Sequence, residues 1–369
     1  MRLRNKILIG IAAVFGVAFA ALAITVSYDS PCPPVAAVAS DVESMRAIMN
    51  RCYGVSEGVR LERIAKPTPA EGKVLIKVHA TSVNPAEWYG ISGRPKLIRL
   101  ESGIGAPEGD GRAGYDVAGT VEAVGANATL FKPGDEVFGG VHGAFGEYVV
   151  AREQGAIVIK PQNMSFEEAA AMPIAAITAL QGLRDQGGIK AGQKVLINGA
   201  SGGVGTYAVQ IAKSFGAEVS GVCSTRNVEL VRSLGADHVI DYTKENFTKG
   251  QERYDLILDN VGNHGFFDLE DVMKPDGIIV VVGGSKNGPL LGPIKRIAWM
   301  KLMGHFIEPR TTFFIANVNK ADLELLAGLA REGKLKSVID RRYPLEETAA
   351  ALEYLGAGHA RGKVVVTVN

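Results

Sequence analysis

A glycine-rich segment between an apolar run and a helical pattern is the part of this 369-residue chain whose residue types indicate chemistry most clearly. Residues 194–197 predict a buried strand, and residues 206–213 predict a helix. Glycines in such a turn let the backbone approach a phosphate, and a helix N-terminus offers unpaired N–H groups. The turn therefore predicts a site for a dinucleotide pyrophosphate, held by Ala200, Ser201, Gly202, Gly203, Val204 and Gly205. Its spacing departs from G-x-G-x-x-G, so a purely structural turn is the alternative.

The strand predicted after this helix indicates which dinucleotide to expect. Residues 218–223 form a second apolar run, which ends in Ser224, Thr225 and Arg226. An NAD site would end this strand in Asp or Glu, which holds the ribose 2′-hydroxyl. Here no carboxylate follows the strand, whereas two hydroxyls and a guanidinium can donate hydrogen bonds to a 2′-phosphate. The sequence predicts NADPH, with Arg226 at the phosphate; in the alternative, Arg226 only solvates the start of a helix.

Further apolar runs complete a pattern of alternating strands and helices. They occupy residues 235–242, 254–262 and 277–284. Near-continuous apolar runs are typical of parallel strands buried on both faces. The pattern predicts an α/β fold, a doubly wound parallel-sheet (Rossmann) domain with right-handed crossovers.

Composition limits the remaining classes of protein. The length allows about two domains, and the net charge of +1 shows no footprint for a nucleic-acid partner. Cys32, Cys52 and Cys223 are too few and too scattered for a disulfide framework or a four-thiolate zinc site.

The N-terminus carries a separate signal. Residues 7–26 are uncharged and almost wholly apolar, and as a helix they would be roughly 30 Å long, enough to cross a bilayer. We predict an uncleaved transmembrane helix over residues 1–28, with a signal sequence and a buried soluble helix as alternatives, and a linker over 29–44. The basic residues before this run place the catalytic part on the far side of the membrane. Because NADPH is intracellular, the side of the membrane stays open.

The chain changes character after Met45. Residues 74–83, 115–125, 136–139 and 143–150 form short strand patterns separated by Pro and Gly. Such spacing predicts a small β-barrel-like domain.

Ordered motifs along this region resemble the medium-chain dehydrogenase/reductase superfamily, in its zinc-independent quinone oxidoreductase branch, which includes zeta-crystallin. The resemblance covers roughly residues 45–369. The matching pieces are Ser82-Val83-Asn84-Pro85, Gly114-Tyr115-Asp116-Val117-Ala118-Gly119, Phe131-Lys132-Pro133-Gly134-Asp135-Glu136-Val137, Gly143-Ala144-Phe145-Gly146-Glu147-Tyr148, Ala176-Ile177-Thr178-Ala179-Leu180, the glycine turn and Gly362-Lys363-Val364-Val365-Val366.

The resemblance implies a GroES-like catalytic domain over 45–173, to which 316–369 return, and a Rossmann NADP-binding domain over 174–315. The active site would lie in the cleft between them. Implied cofactor contacts are Thr178, Tyr242, Asn260, Val261, Gly283, Gly284 and Lys363. Solvation of a strand end is the alternative for Asn260 and Tyr242, and Lys363 could simply cap the barrel.

The resemblance also bears on the reaction. Zinc-dependent relatives use a Cys and a His-Glu pair where this chain has Asn84 and Tyr115-Asp116, so we expect no metal. Without a Lewis acid, a quinone or conjugated enone is the favoured hydride acceptor, because the arriving charge delocalises. Asn84 is the predicted catalytic donor to the developing oxyanion, and Tyr89 is predicted to supply a proton or a second donor. A turn-capping role for Asn84 and a packing role for Tyr89 are the alternatives.

We therefore predict an NADPH-dependent reductase of small apolar quinones or α,β-unsaturated carbonyls. Alternatives are an alcohol dehydrogenase, an enoyl-thioester reductase and a non-catalytic NADPH-binding membrane protein. The loop 94–111 is longer than in the family, which leaves the substrate open. The basic and apolar residues 294–304 predict a helix that covers the cleft, forms a contact in a homodimer or lies on a membrane surface.

Overall fold

The computed structural model describes residues 3–35, 37–284, 288, 290–292, 294–303 and 310–368, and for residues 3–12, 15 and 301–303 it describes the backbone alone. Met1, Arg2 and Gly304, which the sequence predictions included, lie outside the described residues. The strands are β1 (Ser44–Asn50), β2 (Val59–Ala65), β3 (Lys73–Val83), β4 (Asp116–Val124), β5 (Glu136–Gly140), β6 (Tyr148–Arg152), β7 (Ile157–Ile159), β8 (Lys194–Asn198), β9 (Glu218–Cys223), β10 (His238–Asp241), β11 (Tyr254–Asp259), β12 (Met273–Val281), β13 (Arg310–Phe313), β14 (Ile339–Pro344) and β15 (Lys363–Thr367).

Twelve α-helices are described between and before these strands. They are α1 (Leu3–Ser27), α2 (Val55–Gly58), α3 (Pro85–Ser92), α4 (Arg99–Ser102), α5 (Phe166–Ala170), α6 (Pro173–Gln181), α7 (Gly203–Ser214), α8 (Val228–Ser233), α9 (Phe266–Glu270), α10 (Ile294–Met303), α11 (Lys320–Arg331) and α12 (Thr348–Gly356). A π-helical turn occupies Gly182–Gln186, and 3₁₀ turns occupy Lys96–Ile98, Thr225–Asn227, Phe247–Lys249 and Leu345–Glu347.

A six-stranded parallel sheet forms one part of the fold. Its strand order is β10-β9-β8-β11-β12-β13, and every neighbouring pair runs parallel. This is the order of a Rossmann sheet. Strands are added first on one side of its first strand, β8, and then on the other side, so that the strand order reverses there. The carboxyl ends of β8 and β11 therefore meet at the edge where ligands bind in open sheets. The predicted α/β class is confirmed for this part.

A seven-stranded sheet forms the other part. Strands β14, β15, β3, β4, β5 and β7 follow one another in it, and β6 also pairs with β3. Strand β15 pairs antiparallel with β3, with Val364 opposite Val83. The end of the chain thus lies beside the strand that leads directly to Asn84.

One apolar cluster packs the two sheets together. It contains Ala118 and Phe138 of the seven-stranded sheet and Ile197 and Leu258 of the six-stranded sheet, all of them buried. Burial of apolar surface on both sides fixes the relative position of the two sheets. The cleft between the edges of the two sheets consequently has a fixed geometry.

The predicted membrane span is not supported. Across the described residues, no helix combines the length and the hydropathy that crossing a bilayer requires. Helix α1 extends to Ser27, and Val26 in its last turn is buried against the rest of the protein.

A disulfide joins Cys32 to Cys52. The cysteine count correctly argues against a disulfide framework, but it did not identify this single bond. Cys223 is free and buried. The segment predicted to be a linker is therefore covalently tied to the residue that follows β1 by two positions.

Candidate functional site

The glycine turn has the geometry of a close backbone approach. Gly199 adopts a φ of +79°, in the left-handed region that favours glycine. A Cβ on Gly205 would lie 2.1 Å from the carbonyl oxygen of Gly199, so helix α7 packs against the turn only because Gly205 has no side chain. The helix begins at Gly203, three residues earlier than predicted. Its N-terminal N–H groups consequently belong to the glycine segment itself.

The turn also touches the end of the chain. The Gly362 N–H donates to the Ser201 carbonyl over 2.9 Å, and Gly202 and Gly362 form a parallel bridge. A Cβ on Gly203 would lie 3.2 Å from the Lys363 Cδ. The pyrophosphate turn and Lys363 are therefore brought together across the cleft.

Lys363 enters a buried polar cluster, which we define as Ser82, Asn84, Glu87, Asp116 and Lys363. The Lys363 Nζ donates to the Asn84 Oδ1 over 2.5 Å and lies 3.4 Å from the Asp116 Oδ2. The Ser82 hydroxyl donates to the same Asp116 oxygen over 2.6 Å. Asp116 is fully buried, and its other oxygen accepts the Ile174 N–H at the start of α6 over 3.0 Å. Donors from three separate chain segments thus surround one carboxylate.

Asn84 uses its whole amide inside this cluster. Its Nδ2 donates to Asp116 Oδ2 over 2.9 Å, to Glu87 Oε2 over 3.2 Å and to the Ser82 carbonyl over 3.4 Å. Two amide hydrogens are shared among three acceptors, and two of the three bonds are long. A substrate oxygen that binds Asn84 would replace one of these acceptors rather than meet an unused donor.

Glu87 is the unusual acid of the cluster. Burial, followed by repulsion from Asp116, raises the pKa of its carboxyl to about 8. Part of the residue is exposed, but its Oε1 is buried and has no hydrogen-bond partner among the described residues. The charge of an ionised Glu87 would reside on these buried carboxyl atoms rather than on the exposed part of the side chain. Glu87 is therefore protonated at neutral pH.

This raised pKa predicts a pH-dependent stability. The folded protein holds the Glu87 proton between its ordinary pKa of 4.5 and about 8, where the unfolded chain has lost it, so stability falls as pH rises through this window. We expect the free energy of unfolding to fall more steeply with pH in the wild type than in Glu87→Gln. The difference in slope should approach about 1.4 kcal/mol per pH unit. Urea unfolding from pH 5 to 8 measures it, and parallel curves would contradict the assignment.

Tyr89 lies on α3, one turn after Asn84. Its ring packs edge-on against Trp88, with 5.3 Å between centroids, and burial raises the pKa of its phenol. The raised pKa keeps the phenol protonated at neutral pH, as a proton donor requires. Among the described residues, no side-chain hydrogen bond or ring contact joins Tyr89 to the buried polar cluster, so the role predicted for Tyr89 stays a prediction.

The predicted phosphate-recognition residues lie together past β9. The Asn227 amide donates to the hydroxyls of Ser201 and Ser224 over 3.0 and 3.2 Å, which ties this segment to the glycine turn. Arg226 is exposed, and its NH2 donates to the His359 carbonyl over 3.0 Å. Its guanidinium has further donors for a phosphate.

A carboxylate from the next strand lies beside these residues, contrary to the expectation that none was near. The Thr225 hydroxyl donates to the Asp241 Oδ2 over 2.6 Å, and this hydrogen bond is the main cause that lowers the pKa of Asp241 to about 2. Thr225 thus has no hydrogen left for a phosphate, because a hydroxyl donates only once. Ser224 and Arg226 remain as the candidate donors.

A cavity of about 400 Å³ adjoins this segment. Tyr242, which is 59% exposed, lines it together with Phe247, Asn263 and His264. An aromatic wall beside an exposed guanidinium suits an adenosine with a phosphate on its ribose.

The carboxyl ends of β11 and β12 bring the remaining predicted contacts together. The Asn260 Nδ2 donates to the Asn198 carbonyl over 3.0 Å, and the Gly283 N–H donates to the Asp259 carbonyl over 3.2 Å. A Cβ on Gly283 would lie 2.0 Å from the Asn260 carbonyl oxygen. Val261 is 39% exposed at this edge, and Gly284 lies next to Gly262. Thr178 lies in α6 and donates to the Ile174 carbonyl over 2.7 Å.

Helix α10 covers this edge of the six-stranded sheet. The Arg296 NH2 lies 2.7 Å from the buried Asp259 Oδ2, while its NH1 donates to the carbonyls of Gly262 and His264. Met300 is buried in the core beneath it, and Trp299 is 50% exposed. Of the three readings of this segment, the covering helix agrees with these contacts.

Sequence reasoning missed the residues that organise the site from beneath. They are Ser82, Glu87, Asn198, Asn227, Asp259 and Arg296. Asp259 carried a usable signal, because it ends an apolar run at the carboxyl edge of a predicted strand. Glu87 also carried a signal, because Asn84 and Glu87 have the spacing of a capping box at the start of α3. Arg296 carried none, because its partners are distant in sequence.

Orphaned polar atoms show that a nicotinamide dinucleotide fits this edge. The buried Oδ1 atoms of Asn227 and Asn260 have no hydrogen-bond partner within the described part of the chain. Both lie next to the glycine turn, the first through Ser201 and the second through Asn198. Such unpaired acceptors beside the glycine turn suit the polar groups of a dinucleotide. Over the residues that the structure describes, no group of three metal-binding side chains is found.

Two family models match separate stretches of the chain. A family model described as an alcohol dehydrogenase GroES-like domain matches residues 70–162, and one described as a zinc-binding dehydrogenase matches residues 234–366. The chloroplast envelope quinone oxidoreductase homolog of Arabidopsis thaliana is 35% identical over 87% of this chain and 98% of its own length. The NADPH-dependent alkenal/one oxidoreductase of the same plant is 34% identical over 90% of this chain and 82% of its own length.

Solved structures show the same architecture. The quinone oxidoreductase from Coxiella burnetii superposes with a TM-score of 0.73 at 32% identity, covering 89% of this chain and 100% of its own. The CurK enoyl reductase superposes with a TM-score of 0.75 at 26% identity, covering 89% and 100%.

Proposed function

Because the chain belongs to the medium-chain dehydrogenase/reductase superfamily, in its zinc-independent quinone oxidoreductase branch, we propose that this oxidoreductase reduces quinones or α,β-unsaturated carbonyls with NADPH. The contact between the glycine turn and Lys363 carries the proposal. It joins the dinucleotide-binding edge to the buried polar cluster, across the cleft between the two sheets.

The chain's own residues hold the dinucleotide along the edge of the six-stranded sheet. Residues 200–205 cradle the pyrophosphate, Arg226 and Ser224 grip the 2′-phosphate, and Tyr242 packs on the adenine. Asn260 offers its orphaned Oδ1 to the dinucleotide as a hydrogen-bond acceptor. When bound, NADPH supplies a hydride from C4 of its nicotinamide.

The buried polar cluster then receives the carbonyl oxygen of the acceptor. Lys363 and Asn84 lie where negative charge would develop, in a site with little water, so each donor counts for more than it would in solution. Asp116 holds both donors in place. A conjugated acceptor needs less stabilisation by such donors than a simple ketone, because the negative charge that arrives with the hydride spreads over several of its atoms. Tyr89 is the proposed proton donor.

The role of Arg226 predicts a change in cofactor preference. Arg226→Ala removes charge-assisted hydrogen bonds to the 2′-phosphate, so the Kd for NADPH should rise by about 10- to 100-fold. The Kd for NADH, which lacks this phosphate, should change by less than about threefold. Calorimetric titration measures both constants. Arg232→Ala on α8, which removes an exposed pair with Glu229, is the matched control. Equal losses for the two nucleotides would refute the assignment.

A panel of acceptors tests the proposed function. We expect NADPH consumption, followed at 340 nm as absorbance, with quinones and conjugated enones and much less with the matching saturated ketones. Tight NADPH binding without consumption by any acceptor would favour a non-catalytic binding protein.

We do not extend the proposal to membrane attachment or to a homodimer. The described residues contain no helix suited to a span. An alcohol dehydrogenase or an enoyl-thioester reductase on the same scaffold is less well supported, since the two plant oxidoreductases named for quinones or alkenals are 35% and 34% identical to this chain, whereas the CurK enoyl reductase is 26% identical.

A further inference from the structure

A buried cation joins two segments that belong to neither sheet. We call residues 26–32 the N-terminal strap and residues 94–105 the bridging loop. Arg99 of the bridging loop is 2% exposed. Its NH1 lies 2.8 Å from the Asp29 Oδ1 and donates to the carbonyls of Val26 and Tyr28 over 3.2 and 3.0 Å. A buried guanidinium needs such partners, and the strap supplies most of them.

The backbones of the two segments also pair directly. The Ser30 N–H donates to the Gly105 carbonyl over 2.8 Å, and Asp29 and Gly105 form a parallel bridge. Lys96 donates to the Ser27 carbonyl over 3.1 Å and to Asp29 over 3.2 Å. A Cβ on Gly105 would lie 2.6 Å from the Ser30 Oγ. The strap therefore follows the loop at contact distance from one end to the other.

A second attachment comes from the segment after β1. The Arg99 guanidinium stacks on the Tyr53 ring, 4.1 Å from its centroid, and the Tyr53 hydroxyl donates to the Gly103 carbonyl over 2.6 Å. The neighbouring Cys52 forms the disulfide with Cys32 at the end of the strap. The disulfide thus ties the end of the N-terminal strap to the residue next to Tyr53, which contacts the bridging loop.

The bridging loop runs from one side of the cleft to the other. It begins where α3 ends, and α3 starts next to Asn84. Further along, the Leu97 N–H donates to the Leu290 carbonyl over 3.2 Å, and Pro95 packs against Gly292. Leu290 and Gly292 follow the dinucleotide-binding end of β12 in sequence. The loop therefore connects the segment that carries Asn84 with the segment that leaves the cofactor edge.

From this arrangement we propose that the N-terminal strap, through Arg99 and the disulfide, sets the position of the bridging loop and so the fit of the acceptor. Arg99 is a positioning residue, since it would act on the acceptor only through the bridging loop that carries it. This inference rests on the proposed function for the identity of the acceptor. The placement of the loop itself can be measured without turnover.

Two variants loosen the strap by different means. Arg99→Lys keeps the charge but loses the planar guanidinium. A lysine ammonium cannot donate to the Gly93 carbonyl, which accepts from the Arg99 Nε, and to the N-terminal strap at the same time. Cys32→Ser opens the covalent closure and leaves the buried Arg99 intact. Glu332→Gln, which removes an exposed pair with Lys334, is the control for handling of the variants.

Hydrogen exchange of residues 95–105 is the first readout, and steady-state kinetics with a small enone and a long-tailed quinone are the second. We expect amide exchange in the loop to become about tenfold faster or more in both variants. The KM for the acceptor should rise about five- to tenfold, with kcat and the Kd for NADPH within about twofold of wild type. Treatment of wild type with a thiol reductant should reproduce the Cys32→Ser result, and the reductant should not change that variant further.

The outcomes separate the inference from the proposed function. Unchanged loop exchange in Arg99→Lys and Cys32→Ser, or faster exchange with an unchanged KM, would overturn the positioning role. If the wild type consumes no NADPH with any acceptor, the proposed function fails, and exchange of the loop still decides whether the strap positions it.

Discussion

Asp116→Asn is expected to lower the free energy of unfolding by about 3–5 kcal/mol, because it leaves a buried ammonium without its counter-charge. Lys363 is 4% exposed, and its described partners are Asp116, the Asn84 amide oxygen and the Val83 carbonyl. The substitution also removes the repulsion from Asp116, but burial, the larger cause, still raises the pKa of Glu87 and makes it a weaker counter-charge. Urea unfolding at pH 7 measures the loss.

A second substitution shows that the loss comes from the charge. Adding Lys363→Met to Asp116→Asn removes the unpaired ammonium, so the double variant should regain much of the lost stability. Glu332→Gln breaks an exposed ion pair with Lys334 and should leave the unfolding curve where it is. If Asp116→Asn is as stable as wild type, the account of the buried polar cluster is wrong.

Gly205→Ala is expected to abolish tight dinucleotide binding. The added Cβ would meet the Gly199 carbonyl oxygen at 2.1 Å and the Ala200 Cα at 2.8 Å, so α7 must shift away from the turn. Its N–H groups would then miss the pyrophosphate. We expect the Kd for NADPH to rise at least about 100-fold, equivalent to about 2.7 kcal/mol.

Another glycine provides the matched control for this substitution. Gly328 lies inside α11, and a Cβ there would meet nothing within 4 Å. Gly328→Ala should stabilise the protein by about 0.5–1 kcal/mol through helix propensity and leave the Kd for NADPH unchanged. A folded Gly205→Ala protein that binds NADPH normally would show that the turn is only structural.

The sequence predicts five of the six strands of the parallel sheet, because those five are short apolar runs with clear ends, but it missed β13. Residues 218–223 were predicted as a strand and form β9. The last predicted strand was placed at 277–284, whereas β12 is Met273–Val281. Gly283 lies beyond the ladder because its backbone passes too close to Asn260 for a side chain. Tertiary contact, rather than local composition, sets that boundary.

The buried polar cluster could be predicted only in part. Asn84 and Lys363 were each identified through motifs, but their hydrogen bond joins residues 279 positions apart. The raised pKa of Glu87 depends on burial and on Asp116, neither of which a sequence pattern displays. The contacts of Arg99 with the N-terminal strap could not be predicted from the sequence either. Its acceptors there include backbone carbonyl groups, which every residue possesses.

The transfer of a labelled hydride tests the central claim most directly. NADPH carrying deuterium on the transferred position of C4 is incubated with a conjugated enone in ordinary water, and the product is analysed by mass spectrometry and NMR. The account predicts one deuterium on the β-carbon of the saturated product and a proton from solvent on the α-carbon. Consumption of NADPH with no label in the product, or no consumption with any conjugated acceptor, would contradict it.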